Sequence, residues 1–302
     1  MSRFLKRSCF FMFPLLIAGI LIEVLTRNIP NDYLYKREYL DKHAADIEVL
    51  FLGSSHAYRD INPVYISANS FNASYVSQSL YYDYRILERY RDSWSHLRYI
   101  AIPVSYFSLF YSLEDSPESW RVKNYSIYYS MWTTYNIEDY SELLSNRLDI
   151  NLSRIDEYYL AGQCNITSSE LGWGGIDASD INSDLAEKGK AAAQRHTVED
   201  DLYFDVNIEI LHSFISFAEE HNVQIVFYTP PAFETYIENL NEEQLMKTVF
   251  TMQALDNHYA NVHYVNFLDS DLFERGDYFD ADHLNENGAR KLTLELAKIV
   301  DN

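Results

Sequence analysis

Five short apolar runs that alternate with helical stretches constrain this chain more than any other feature. The runs are Ile47 to Leu52, Ser70 to Ala73, Tyr99 to Val104, VQIVFYTPP closed by Pro230 and Pro231, and VHYVNF. The helical stretches are Ser79 to Trp94, VEDDLYFDVNIEILHSFISFAEEHN, EEQLMKTVFTMQALDNHY and NENGARKLTLELAKIV, where Asn285 or Asn287 can begin the last helix. Unbroken apolar runs suit strands buried on both faces, and parallel strands need crossovers that helices supply. The expected fold is α/β: a three-layer, doubly wound, mostly parallel sheet with helices on both faces.

Two regions fall outside this alternation. From about 112 to 195 the pattern loosens. DSPESW reads as a turn region, and LGWGGIDASDINS (Leu171 to Ser183) reads as a Gly- and Asp-rich loop. The whole is expected to be an insertion between the third strand and the next helix, of a length that suits a functional lid or a disordered segment. At the amino terminus, Arg3, Lys6 and Arg7 precede an apolar run from Cys9 that Glu23 interrupts and Val24 and Leu25 extend. The run approaches the roughly 20 residues that cross a bilayer. The expectation is a cytoplasmic tail over 1–8, a transmembrane anchor over 9–25, a polar connector over 26–46 and an extracytoplasmic domain over 47–302. A cleaved leader and a buried core helix are the competing readings.

The 302 residues carry 45 acids and 24 bases, a net charge of −21. Phosphate contacts need a basic surface, so nucleic acid is excluded as a partner. Of the two cysteines, Cys9 lies in the apolar run, so neither a disulfide nor a cysteine zinc site is expected. No cofactor and no metal are expected. DADHLNENG fails the calcium-loop spacing, because Asn285 stands where glycine is needed.

The chemistry gathers at two places. VLFLGSSHAYRDINP puts Gly53, Ser54, Ser55 and His56 where the first strand stops, and DYFDADHLNENG follows the last strand. Both lie at the carboxyl ends of strands, where open parallel sheets bind ligands. A serine nucleophile needs a base, and the base needs an orienting acid. Asp280 and His283, three apart in a turn, have the spacing for the second pair. His56 reads as a bystander, Arg59 as a solvated charge and Asp282 as a turn or cap residue. His196, His212, His221 and His263 read as structural.

On Gly53-Ser54-Ser55 and Asp280-Ala281-Asp282-His283, the sequence resembles the SGNH (GDSL-type) hydrolase superfamily over about 47–105 and 200–300. Gly-Ser-Ser in place of Gly-Asp-Ser is similar to divergent, membrane-anchored bacterial branches that modify surface polysaccharide. The resemblance implies Ser55 as nucleophile, His283 as general base and Asp280 as orienting acid. It implies oxyanion donors at Ser55, at Ser77 (where the family has glycine) and at Ser105 (where it has the asparagine of Gly-x-Asn). Gln78 and Asn72 are candidates to contact substrate, and Trp173 is either a sugar-stacking lid residue or the anchor of a plain loop. The implied function is a serine esterase or O-acyltransferase acting on acyl, chiefly acetyl, esters of cell-surface carbohydrate. A transferase would need a membrane-bound acyl-donor partner. The alternatives are an inactive SGNH-like binding or scaffold module and a purely structural tethered domain.

Overall fold

The structure is a computed structural model that describes residues 2–178 and 184–301. The last five residues of the Leu171–Ser183 loop, 179–183, lie outside the described residues. Along the chain run α1 (Ser2–Arg27), α2 (Asp32–His43), β1 (Val49–Phe51), α3 (Ser55–Tyr58), β2 (Ser70–Asn72), α4 (Leu80–Arg89), β3 (Tyr99–Pro103), α5 (Val122–Tyr128), α6 (Glu142–Ser145), α7 (Leu148–Ile155), α8 (Leu185–His196), α9 (Phe204–His221), β4 (Gln224–Thr229), α10 (Glu234–Ile237), α11 (Glu242–His258), β5 (Val262–Asn266) and α12 (Glu286–Val300). The chain divides into two units, 1–38 with 117–167 and 39–116 with 168–301.

The larger unit holds a five-stranded, all-parallel sheet in the order β2-β1-β3-β4-β5. Val49 pairs with Ser70 on one side and Tyr99 on the other, and Ala101 pairs with Val226, so the ends of β1 and β3 lie side by side. Strand parity decides what each face buries. Val49, Phe51, Ala101, Val226 and Tyr228 share a face and pack with Leu292, Leu296 and Val300 of α12. Leu50, Ile100, Ile102, Ile225 and Phe227 are fully buried on the opposite side, which α4 and α9 serve. Helices thus cover both faces of the expected parallel sheet. α9 ends at Asn222, whose left-handed φ of 56° lets the chain reverse into β4.

The smaller unit contains α1 and α5 to α7. α1 is long and apolar enough to cross a membrane. Glu142 is buried here at 1% side-chain exposure. Arg154 (2.7 Å), Lys123 (3.4 Å) and the Tyr128 hydroxyl (2.6 Å) surround it, so its charge is met on several sides. The loose pattern over 112–195 therefore conceals α5 to α8. These helices are short; α6 starts on the Ser141 hydroxyl, which accepts the Leu144 N–H, and α8 on Asp184, which accepts the Glu187 N–H, while α5 and α7 start without a side-chain cap. Their apolar residues make too few turns to show a period. The stretch is also split, since 117–167 gathers with the amino-terminal segment and 168–178 with the sheet.

Candidate active site

β1 runs into the site through one glycine. Gly53 has φ +123°, a conformation L side chains avoid, and a Cβ there would lie 2.5 Å from the Pro103 ring at the end of β3. Its N–H donates to Asp83 Oδ1 at 2.6 Å. Asp83 belongs to the buried side of α4, and the Gln78 amide donates to the same oxygen. Burial pushes the Asp83 carboxyl up to about 7, against the opposing pull of Gln78 and the Gly53 N–H. Ser54 then caps α3, accepting the His56 N–H at 3.5 Å. Ser55 stands in the opening turn, where a helix N–H has no intrahelical acceptor.

The second half comes from the turn between β5 and α12. Tyr278 and Leu284 bridge, Phe279 N–H donates to His283 O at 3.0 Å, and Asp280 Oδ1 accepts the N–H groups of Asp282 and His283 at 3.1 and 2.8 Å. Asn285 caps α12 through Oδ1, accepting from Asn287 and Gly288 N–H. Leu284 N–H donates to Asp60 Oδ1 at 3.0 Å, which ties this turn to the segment following α3. Burial holds the Asp60 carboxyl well above the usual carboxylate range.

Between the halves, Ser55 Oγ lies 2.8 Å from His283 Nε2, and His283 Nδ1 lies 3.0 and 3.2 Å from the two oxygens of Asp280. Residues 228 positions apart meet in a hydroxyl–imidazole–carboxylate line at the carboxyl rim of the sheet.

Asp282 is more than a turn residue. Its side chain is 5% exposed, with Oδ1 3.6 Å from His283 Nδ1 and Oδ2 3.8 Å from His56 Nε2 and 3.9 Å from His196 Nδ1. Burial pulls the His283 imidazole down, yet Asp282 and then Asp280 outweigh it and raise the group to about 9. Asp282 itself is held below the usual range by His283, His56 and His196, which overcome its burial. Burial lowers His56, and lowers His196 to about 3.

His56 lies beside the Ser55–His283–Asp280 line without joining it. It is buried, its ring lies 5.0 Å from that of His283, and its Nδ1 is 2.6 Å from Ser105 Oγ. The Asp282 carboxylate favours the proton on Nε2, leaving Nδ1 to accept from the Ser105 hydroxyl. Ser105 N–H donates to Ser108 Oγ at 2.9 Å. Both donors of Ser105 are thus engaged, against the oxyanion role expected for it.

The expectation for Asn72 fails for a similar reason. Asn72 is fully buried and spends its amide N–H groups on Ala57 O and Ile61 O and its oxygen on Ser74, so it braces α3 instead of facing a ligand. Of the two readings open for Trp173, the loop anchor fits: its indole N–H donates to Arg59 O and its backbone N–H donates to Ser169 Oγ at 3.1 Å. Ser77 adopts φ 61°, the left-handed conformation that explains why glycine would suit the position. Gln78 lines a small cleft with Ser54, Asp83, Pro103, Phe107 and Tyr111.

Sequence reasoning missed Asp60 and Asp83, and it named Asp282, His56 and His196 without the cluster they form beside His283. Asp83 left a signal, a carboxylate within the apolar stripe of its helix, and His56 another, its place next to the Gly-Ser-Ser turn. As metal ligands, His56, Asp282 and His283 bring donor atoms within 4.8 Å of one another. Both His283 nitrogens already serve Ser55 and Asp280, so a cation there would compete with that line.

Fold and site together define an α/β protein with a Ser-His-Asp arrangement on the rim of a parallel sheet. No protein-family model and no curated protein matches the chain. Among solved structures, it is similar to a candidate acylhydrolase from Bacteroides fragilis at 10% identity and TM-score 0.42, covering 87% of this chain and 94% of that one. It is similar to a candidate platelet activating factor from Streptococcus pneumonia at 12% and 0.42, covering 97% and 99%. It is also similar to a GDSL-like lipase from Bacteroides thetaiotaomicron at 10% and 0.38, covering 89% and 98%. The reading of the site rests on its own geometry.

Proposed function

We propose that the chain is a membrane-anchored serine hydrolase or acyltransferase of SGNH type, acting on acyl esters of cell-surface carbohydrate. One observation carries the reading: Ser55 Oγ at 2.8 Å from His283 Nε2, with Asp280 on the other ring nitrogen. Ser55 attacks the acyl carbonyl as neutral His283 takes its proton. Asp280 holds the ring and meets the imidazolium that forms. The Ser55 N–H faces the developing oxyanion from the opening turn of α3, with the N–H near Ser77 as second donor. Imidazolium then protonates the departing alcohol. Water or a sugar hydroxyl, deprotonated by the same nitrogen, releases the acyl group. The carbohydrate, the acetyl group and the membrane-bound acyl donor follow from the family resemblance and the apolar α1.

The test is fluorophosphonate labelling of the full chain in detergent, read by intact-protein mass spectrometry. One adduct on Ser55, absent from Ser55→Ala and His283→Ala, is expected. A folded chain that takes no adduct overturns the reading. It would favour a binding module, which the engaged donors of Ser105 already suit.

A further inference from the structure

Outside α1, exposed large apolar side chains concentrate in one stretch of the smaller unit. Trp132 is 82% exposed, Ile137 75% and Leu144 55%, and Leu148 and Leu152 follow at the i and i+4 positions of α7. In the larger unit such residues stand in ones and twos, as Val64 and Tyr65 or Met246 do. A contiguous exposed apolar stretch marks a surface that something covers.

The occupant follows from what this stretch is fastened to. The Glu23 carboxylate, inside the last two turns of α1, accepts the Ser141 hydroxyl at 2.7 Å and the N–H groups of Glu142 and Leu143 at 3.2 and 2.8 Å. Arg27 pairs with Glu23 and donates to Tyr140 O, and the Tyr159 hydroxyl donates to Leu25 O at 3.1 Å. A Cβ on Gly19 would meet Leu143 Cδ2 at 3.4 Å. Leu143 therefore reaches one turn, about 6 Å, below Glu23 along α1. With Glu23 at the headgroup level, that reach would match the roughly 5–10 Å to which in-plane helices bury their apolar faces.

Composition points the same way, whereas charge supplies no attraction. Glu138, Asp139, Glu142, Asp149, Asp156 and Glu157 outnumber Arg147 and Arg154, which are paired with Asp149 and Glu142 at 2.7 Å each, so the apolar side chains and not anionic lipid would hold the segment. Trp132 stacks on Tyr140 at 4.8 Å, and such aromatics suit the water–lipid boundary.

We propose that residues 132–160 form an in-plane membrane element, with Trp132, Ile137, Leu144, Leu148 and Leu152 set in the lipid interface around the end of α1. The inference rests on α1 spanning the bilayer.

The test uses the full chain with Cys9 and Cys164 replaced by serine, in phosphatidylcholine nanodiscs. Single spin labels are placed at Leu144→Cys, Leu148→Cys, Leu16→Cys and Val206→Cys. Accessibility to oxygen is compared with accessibility to a water-soluble nickel chelate. Positions 144 and 148 are expected to follow 16, favouring oxygen several-fold over position 206. If 16 reads lipid while 144 and 148 read like 206, the inference is overturned and the anchor stands. If 16 also reads water, the anchor falls and the inference with it. Should a cysteine variant misfold, quenching of the unlabelled chain by brominated lipid decides. A quenched component lost in Trp132→Phe supports the proposal, and equal quenching in both chains overturns it.

Discussion

Two carboxylates face one nitrogen of His283, Asp280 at 3.0 Å and Asp282 at 3.6 Å. Their combined field keeps the ring protonated up to about 9 even though burial pulls the other way. Only the neutral ring can take the Ser55 proton, so reactivity should climb as pH rises toward and through 9. Asp282→Asn removes the larger of the two charges acting on the ring. Its labelling rate should rise at lower pH, with the limb displaced by about one unit or more, each unit being roughly 1.4 kcal/mol of differential interaction. Fluorophosphonate labelling rates from pH 6 to 10 would show this, and coincident limbs for the two proteins would refute it. Gly53→Ala tests the other partner of the pair. It forces a side chain into φ +123° and against the Pro103 ring. A loss of about 2–4 kcal/mol in urea unfolding is expected, with labelling of Ser55 reduced. An unchanged midpoint would mean the turn relaxes freely.

Helix starts position both halves of the line. α3 begins at Ser54 and Ser55, and α12 begins at Asn285, two residues past His283. Asn285 also donates its amide to Gly276 O, so it fastens the His283 turn as well as the helix. Asn285→Ala should therefore lower stability by about 1–2 kcal/mol and slow labelling several-fold, whereas a cap that acted on the helix alone would leave the rate intact. The strands, the long helices and the Asp280–His283 spacing were legible because each leaves a local mark: a buried run, a 3.6-residue period, a short turn. The pairing of Ser55 with His283, 228 residues away, leaves no such mark and was expected only from the family resemblance. Asp60 and Asp83 left little because their partners, Leu284 and Gly53, lie 224 and 30 residues away, and no local pattern reports such a bond. His56 and His196 look like any buried histidine until Asp282 is placed between them. Glu23 reads as an interruption of an apolar run, and only the fold shows it receiving the first turn of α6.

Each unit is assembled from two separated lengths of chain, and this sets how the molecule responds to losing one of them. The smaller unit joins 1–38 to 117–167, and its fastening at Glu23, Leu25 and Arg27 belongs to α1. Deleting residues 2–27 removes every one of those partners. It leaves the Glu142 and Leu143 N–H groups and the Tyr140 carbonyl without the acceptors and donor they have in the full chain. The larger unit keeps its five paired strands and its own core across such a deletion. Local stability follows local contacts, so 132–160 should open while the sheet does not. Trypsin should cut at Arg147 and Arg154 much faster in the shortened chain than in the full chain in detergent. Ser55 should label at a similar rate in both. Equal protection of the two arginines would mean that 117–167 is held by its own packing around Glu142. Loss of labelling on deletion would mean that the site depends on the smaller unit, which the contacts of Ser55, His283 and Asp280, all made within the larger unit, do not require.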